Sequence, residues 1–550
     1  MFSKYRKNSA KNIAAQTSIW LPLRNPIFRS LWLAGLVSSS AVSAHDMAAT
    51  WVMNTLTPSP LLISLMSTVA TLPFFLFTFP AGAIADMMDR RKLLCIMNIW
   101  LAIIAAGLAA LVWLKLVNPY VILAAVFLLG VGFAINAPAW TAIIPEVVTK
   151  EELPAAITLG GLQLNISGII GPSIGGMLLP VFGANVLFAI NALCFLLVIW
   201  ALLMWRKPIE PSQRVAEGFF GSFASAIRYV RVTPAIRVVV LRGVLFGLFI
   251  AVIPALLPVV GLKKLYLGAS HLGLLFTSMA VGSVLGAVFV VPRIRASFTP
   301  NAVTIVACAM LGLVYFLMGC INQAWAFMFV AALAGTAWTI AASELWIAGQ
   351  NAAPQWARGR MNAVYMMVSN GSMAIGGILW GAAATFYGLD WALHGASILL
   401  LFSLPLLFRL SIDFAHELTQ QQFFLIPDSD NGLEVPDPEE GPVEVTMGFQ
   451  IEPSKRDQFL NLLREIRNIY LRNGVSSLRV YEDLARKHSF RIEMVVATWR
   501  EHLLQQERMT STERETWDEV RRLHHAQGAP DIRVYISREK EIVPQKFRDP

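Results

Sequence analysis

Apolar residues in this chain come in long runs separated by short polar breaks. Twelve runs are long enough to cross a bilayer as helices, which takes about 20 residues each. They cover roughly 30–56, 61–82, 93–116, 120–144, 155–180, 183–205, 236–260, 270–292, 301–319, 324–348, 361–387 and 391–411. A charged connection at 206–235 divides them six and six. Within it Phe219, Phe223, Ile227 and Val230 recur at helical spacing beside Arg228 and Arg231, which predicts an amphipathic helix on the membrane surface. Two six-helix halves about a central linker is the layout expected of a membrane protein with a substrate site between repeats.

The pattern changes after residue 412. Residues 428–442 are rich in Asp, Glu, Pro and Gly and read as a linker. Val443, Val445, Met447, Phe449 and Ile451 then alternate with polar residues, as in a half-buried strand. A helix follows with Phe459, Leu463, Ile466 and Tyr470 on one face, then strands near 476–482 and 490–496, a helical stretch at 499–525 and a strand at 532–536. This β-α-β-β-α-β order predicts a small ferredoxin-like domain over 443–540. The expected fold is therefore an all-α membrane protein, with halves at 1–205 and 236–412, plus a small cytoplasmic α+β domain reached through 413–442.

Composition agrees with a membrane chain. Of 550 residues 56% are hydrophobic and 14% charged, and the mean hydropathy is +0.58, which excludes an ordinary soluble protein. Residues 1–412 carry 25 Lys+Arg against 10 Asp+Glu, and the remainder carries 19 against 25. The basic excess thus belongs to membrane flanks and gives no argument for nucleic acid. Twenty loop cations fall on the N-terminal side, against Lys115, Lys263 and Lys264 on the other. The positive-inside rule then predicts a multi-pass protein of the cytoplasmic (inner) membrane with both termini in the cytoplasm. The four cysteines lack metal-ligand spacing, and there is no Gly-Lys-Ser/Thr phosphate loop, so neither a metal, a cofactor nor ATP-driven transport is expected.

Of the ten acids before residue 413, only Asp46 and Glu344 lie well inside apolar runs. A charge at the bilayer centre costs at least ~2.5–3.5 kcal/mol, so such acids normally face a protein-lined aqueous path. Ser39, Ser43, Asp46, Thr50 and Asn54 are spaced 4, 3, 4 and 4 and share one helical face, a polar stripe on which Asp46 can exchange protons. His45 lies about 100° round the helix and is a lesser candidate. Glu344 sits near Thr336, Thr339 and Ser343, either beside the path or in a gate ion pair. Arg242 is its expected partner, or an anion contact, or a side chain snorkelling to the interface. Asn362, Tyr365 and Ser369 make a second polar stripe, and Asn136 is a further cavity candidate. Trp51, Trp140, Trp338 and Trp346 offer apolar surface to a substrate. The expected partners are the lipid bilayer, a small molecule and protons, with possible self-association through the C-terminal domain.

The loop after the second run reads Gly82-Ala-Ile-Ala-Asp86-Met-Met-Asp89-Arg90-Arg91-Lys92. It resembles the signature loop of the major facilitator superfamily, in which a Gly and an Asp precede a basic cluster. Asp89 stands where that family usually has Gly. The resemblance implies that Gly82, Asp86, Asp89, Arg90 and Arg91 form a gate latch. Gly171-Pro172-Ser173-Ile174-Gly175-Gly176 is similar to the core of the exporters' antiporter motif, whose small residues let helices approach closely. The segments PLRNPIFRSLW, NAPAWTAIIPEVV and ARGRMNAVYMMVSNGSMAIGGILWG resemble the enterobactin-exporter-like, or transmembrane secretion effector, branch, and the tail resembles antibiotic-biosynthesis monooxygenase domains. That resemblance implies proton-coupled export of a siderophore or hydrophobic compound, and no enzyme activity is expected. An importer or lipid flippase on the same scaffold is the alternative, as is a tail with a sensory or enzymatic output.

Overall fold

Helix starts in the computed structural model are set by proline and by short polar caps. The structure describes residues 19–205, 230, 233–352, 358–412, 436–437, 440–472, 475–507, 511–525 and 530–537. Helix α1 (Pro26–Leu56) opens with Pro26 at its first position, and the Asn25 side chain accepts from the Ile27 N–H at 2.9 Å. The same arrangement recurs in α4 (Pro119–Val147), capped by Asn118, after α2 (Pro60–Met87) and α3 (Arg90–Trp113). Next comes α5 (Leu153–Met204), whose 52 residues would span about 78 Å as one rod, far beyond a hydrocarbon core of about 30 Å. It is broken at Gly183, which holds φ 79° and ψ 167°, a conformation that a side chain would strain. The break falls where the sequence parts its fifth and sixth apolar runs.

The second half holds α6 (Pro234–Ile250), α7 (Val252–Val259), α8 (Ala269–Leu285), α9 (Val291–Ser297), α10 (Pro300–Cys320), α11 (Ala324–Asn351), α12 (Arg358–Phe386) and α13 (Leu389–Arg409). π-helical turns at Val260–Lys264 and Gly286–Val290 extend α7 and join α8 to α9. Counted by length and apolarity, eleven stretches among the described residues could cross a membrane, the broken α5 counting as one. Most of the surface helix expected at 206–235 and of the linker at 413–442 lies outside the described residues.

The apolar helices form one compact unit, and the C-terminal sheet belongs to a second. In the sheet unit, β1 (Val443–Gln450), α14 (Arg456–Arg472), β2 (Val475–Glu482), β3 (Ser489–Val496), α15 (Trp499–Glu507), α16 (Ser511–Arg522) and β4 (Asp531–Ile536) follow in order. The strands are antiparallel in the order β2-β3-β1-β4, with Val445 opposite Met494 and Val534. One face buries Val443, Val445, Met447 and Phe449 against Phe459, Leu463, Ile466 and Tyr470 of α14. The single helical stretch expected at 499–525 is two helices, α15 and α16.

Within the membrane unit, the end where α1 begins is here called proximal and the end where it finishes distal. The largest apolar cluster draws on both halves, and most of its members lie towards the distal end. It joins Ala48, Met53 and Ile63 to Val252, Leu256, Leu272, Leu311 and Phe327. Three proximal clusters each stay within one half. Leu31, Leu93, Ala139 and Val198 make the first, Phe28, Ala156 and Leu159 the second, and Val291, Val303 and Ile340 the third.

Candidate functional site

Helix α1 carries the central group, and its neighbours decide where that group points. One flank is covered by α5. A side chain at Gly171 would collide with the Ser40 carbonyl and lie 2.6 Å from Ser43 Cβ. At Gly175 it would lie 2.9 Å from Met47 and 3.0 Å from Ala44. The other flank buries His45, whose Nδ1 is 3.2 Å from Asn191 Nδ2 and whose ring is centred 4.3 Å from that of Phe188. His45 is 1% exposed and therefore turns into packing, about 100° away from Asp46.

Asp46 occupies the face between those flanks. Its side chain is exposed. The hydroxyls of the stripe bind their own helix, Thr50 Oγ1 donating to the Asp46 carbonyl at 2.8 Å and Ser43 Oγ to that of Ser39 at 3.1 Å. No side chain among the described residues hydrogen-bonds the Asp46 carboxyl. Asn54 and Asn136 each keep a buried amide oxygen with no hydrogen-bond partner among the described residues. Gln163, which sequence reasoning passed over, reaches Ser39 Oγ at 3.5 Å.

Small residues close the distal half of the structure. Gly176 and Gly273 bring α5 and α8 backbone to backbone, and a side chain at Gly176 would lie 3.1 Å from Gly273 Cα. At Gly273 it would collide with the Pro172 carbonyl. Ser173 Oγ and Thr277 Oγ1 share a 2.8 Å hydrogen bond across the same seam. On the opposite side, Thr68 Oγ1 of α2 donates to the Ala374 carbonyl of α12 at 3.0 Å, and Lys263 reaches the Thr57 carbonyl at 3.3 Å. Gly371 and Gly381 leave room there for Phe75 and Ser64. The sequence offered Gly171, Pro172, Gly175 and Gly176 but not their partner Gly273, because a seam is a pairing and one strand of sequence shows a single side of it.

Charged pairs mark the proximal end. Arg90 Nη1 lies 2.6 Å from Glu146 Oε1 and 3.3 Å from the Ala142 carbonyl. Arg91 donates to the Leu202 and Leu203 carbonyls at 2.8 and 2.7 Å, holding the end of α5. Asp89 caps α3, accepting from the Lys92 N–H at 3.0 Å. Gly82 lies in α2 with open space where a side chain would be. Asp86 lies in α2 too, and its side chain is outside the described residues. In the second half Arg295 Nε donates to Glu344, which is 2% exposed.

Two expectations about charge need correction. Glu344 pairs with Arg295, not with Arg242. Arg242 does not snorkel either; it is 1% exposed, and its Nη2 donates to Asn301 Oδ1 and the Leu407 carbonyl. The walls supplied by α10 and α13 hold the Nη2 end of the guanidinium inside the protein. Tyr365 and Ser369 pack against Gly243, and Tyr365 meets Trp346 edge-on with ring centroids 6.2 Å apart. Asn362 lies near the start of α12, one turn before Tyr365. Glu146 was missed, although an acid closing the fourth run opposite a basic loop was a usable signal.

An all-helical unit with an exposed acid on an apolar helix, a small-residue seam and ion-paired loops has the form of a membrane transporter. Residues 17–542 match the transmembrane secretion effector family, and the chain belongs to this family of major facilitator transporters. Its relatives are transporters and not enzymes. The chain is 22% identical over 310 residues to Macrolide efflux protein A of Streptococcus pyogenes, covering 56% of this chain and 76% of that one. It is 24% identical over 344 residues to the Staphyloferrin A transporter of Staphylococcus aureus, covering 62% and 85%. The multidrug efflux pump Tap of Mycolicibacterium fortuitum is 24% identical over 396 residues, covering 70% and 94%. Among solved structures, a POT family transporter in complex with 5-aminolevulinic acid superposes with a TM-score of 0.58 at 12% identity, covering 70% of this chain and 96% of that one. The nucleoside transporter NupG gives 0.57 at 12%, covering 70% and 100%. These structures share the fold.

Proposed function

We propose that the chain is a proton-coupled exporter of small hydrophobic or siderophore-like molecules, working by alternating access in the cytoplasmic membrane. The turn at Gly183 supports reading α5 as two crossings, twelve in all; an even number puts both termini on one side, and the distribution of loop cations favours the cytoplasm. The proximal end is then cytoplasmic and the described state is closed towards the outside. One observation carries the reading: Asp46 is the exposed acid on a helix face whose two flanks are packed, with no side chain among the described residues to hold its carboxylate. A group in that position takes a proton from one side and releases it when the halves rock. Efflux relatives support the direction, and the similarity to the antiporter motif around Gly171 supports exchange. Arg90 and Arg91 hold contacts within the first half in this state, and with Asp86 beside them in sequence they are read as the latch that forms when the cytoplasmic side closes. The tail is read as a ferredoxin-like accessory domain suited to self-association.

The test is Asp46→Asn in proteoliposomes. Insertion and protein level should match the parent while transport driven by a pH gradient disappears. Undiminished gradient-driven transport would remove Asp46 from the mechanism.

A further inference from the structure

Near the proximal end of the second half an open cavity of about 510 Å³ is lined by Arg295, Ala342, Ser343, Trp346, Ile347 and Tyr365. That volume lies in the range of small-molecule pockets, ~300–1,000 Å³. We infer that this cavity is a substrate subsite for an organic acid with an aromatic or flat apolar body, the acid held by Arg295 and the body by Trp346 and Tyr365. The inference deepens the export reading and rests on it for the word substrate.

The charges lie in an informative order. The Glu344 side chain is 3% exposed and that of Arg295 37%, so the carboxylate sits behind the guanidinium and only the cation faces the cavity. A guanidinium carries five N–H donors in a planar fork. Arg295 uses Nε on Glu344, and no other hydrogen bond from it is made among the described residues. The remaining edge fits a carboxylate in paired hydrogen bonds. Glu344 fixes the arginine's orientation and offsets the cost of keeping that cation ready in a largely apolar wall. A cationic substrate would meet the guanidinium first and be repelled, so the geometry selects anions. Trp346 is 39% exposed and stands edge-on to Tyr365, giving a rigid aromatic surface next to the charge.

The experiment uses the full chain in lipid nanodiscs without any gradient, with empty nanodiscs as the blank. Equilibrium dialysis compares naphthoate with its neutral isostere naphthamide. The parent should bind the acid at least tenfold more tightly than the amide. Arg295→Gln alone would strand a buried carboxylate, so the informative variant is Arg295→Gln with Glu344→Gln, which should bind both probes equally. Trp346→Ala should weaken both probes alike, by several-fold. Absence of a preference for the acid in the parent, at whatever affinity, would overturn the inference, and so would an undiminished preference in the double variant. Gradient-driven transport by Asp46→Asn is measured separately in proteoliposomes. If that variant loses gradient-driven transport while the acid shows no preference, export stands and this subsite alone falls.

Discussion

The two ends of the membrane unit are held by different chemistry. At the distal end the halves meet through Gly176, Gly273 and a hydroxyl pair, and one apolar cluster runs across both. At the proximal end the apolar clusters stay within each half, and the contacts that stand out are Arg90–Glu146 and Arg295–Glu344, each internal to one half. Small residues give close approach and little directional preference, so a seam of them can part and re-form as rigid lobes tilt. Ion pairs fix loop and helix ends within a lobe and keep it rigid while it moves. A rocking transporter needs both properties, and here they are placed at opposite ends.

The contrast can be broken most severely at the seam. Gly273→Leu puts a side chain into the Pro172 carbonyl; overpacking costs about 1–3 kcal/mol, so transport should fall tenfold or more with insertion intact. Gly268→Leu, where nothing lies within 4 Å, should stay within about twofold of the parent by the same reasoning. Equal loss in both variants would show that the close approach of α5 and α8 is not what matters.

At the proximal end the two ion pairs should differ from each other. Arg295→Gln leaves a carboxylate that is 3% exposed without its cation, and thermal unfolding should register a loss of about 2 kcal/mol, given the half-open guanidinium. Arg90→Gln affects a pair whose side chains are 33% and 20% exposed, and should cost about 1 kcal/mol or less. Matching losses would mean that burial does not distinguish the two halves.

The sheet domain provides a control whose pH response is separate from either end. His502 is 0% exposed, and burial depresses its pKa from the ordinary 6.5 to about 4. The unfolded chain therefore binds a proton that the folded domain refuses. Its stabilising contribution is complete above pH 6.5 and is lost progressively as pH falls towards 4. By pH 5.5 the loss should reach about 1.4 kcal/mol, visible as reduced hydrogen-exchange protection in β1 and β3 of the full chain. His502→Gln should flatten that response. An unchanged pH response in this variant would point to other groups.

Much of this architecture was legible in the sequence because hydrocarbon imposes a simple rule on length and polarity. The apolar runs, the alternating strand from Val443, and the face shared by Ser43, Asp46 and Thr50 follow from periodicity alone. What stayed hidden depends on partners far apart in the chain. Arg295 and Glu344 are separated by 49 positions and lie on different helices. Arg242 looked like a snorkelling residue because a run of sequence shows depth and not which neighbours fill the wall. Gly273 carries no mark that distinguishes it from other span glycines until α5 is laid against it. Helix spacing placed His45 off the polar face, and only packing against Phe188 and Asn191 shows what it does there.

The most direct test concerns water at the centre of α1. Asp46→Cys, in a chain whose four native cysteines are replaced by serine, is exposed to a membrane-impermeant thiol reagent in inside-out and right-side-out vesicles. Rapid modification is expected from the cytoplasmic side and much slower modification from outside. Modification only by lipid-soluble reagents, or by none from either side, would contradict that expectation.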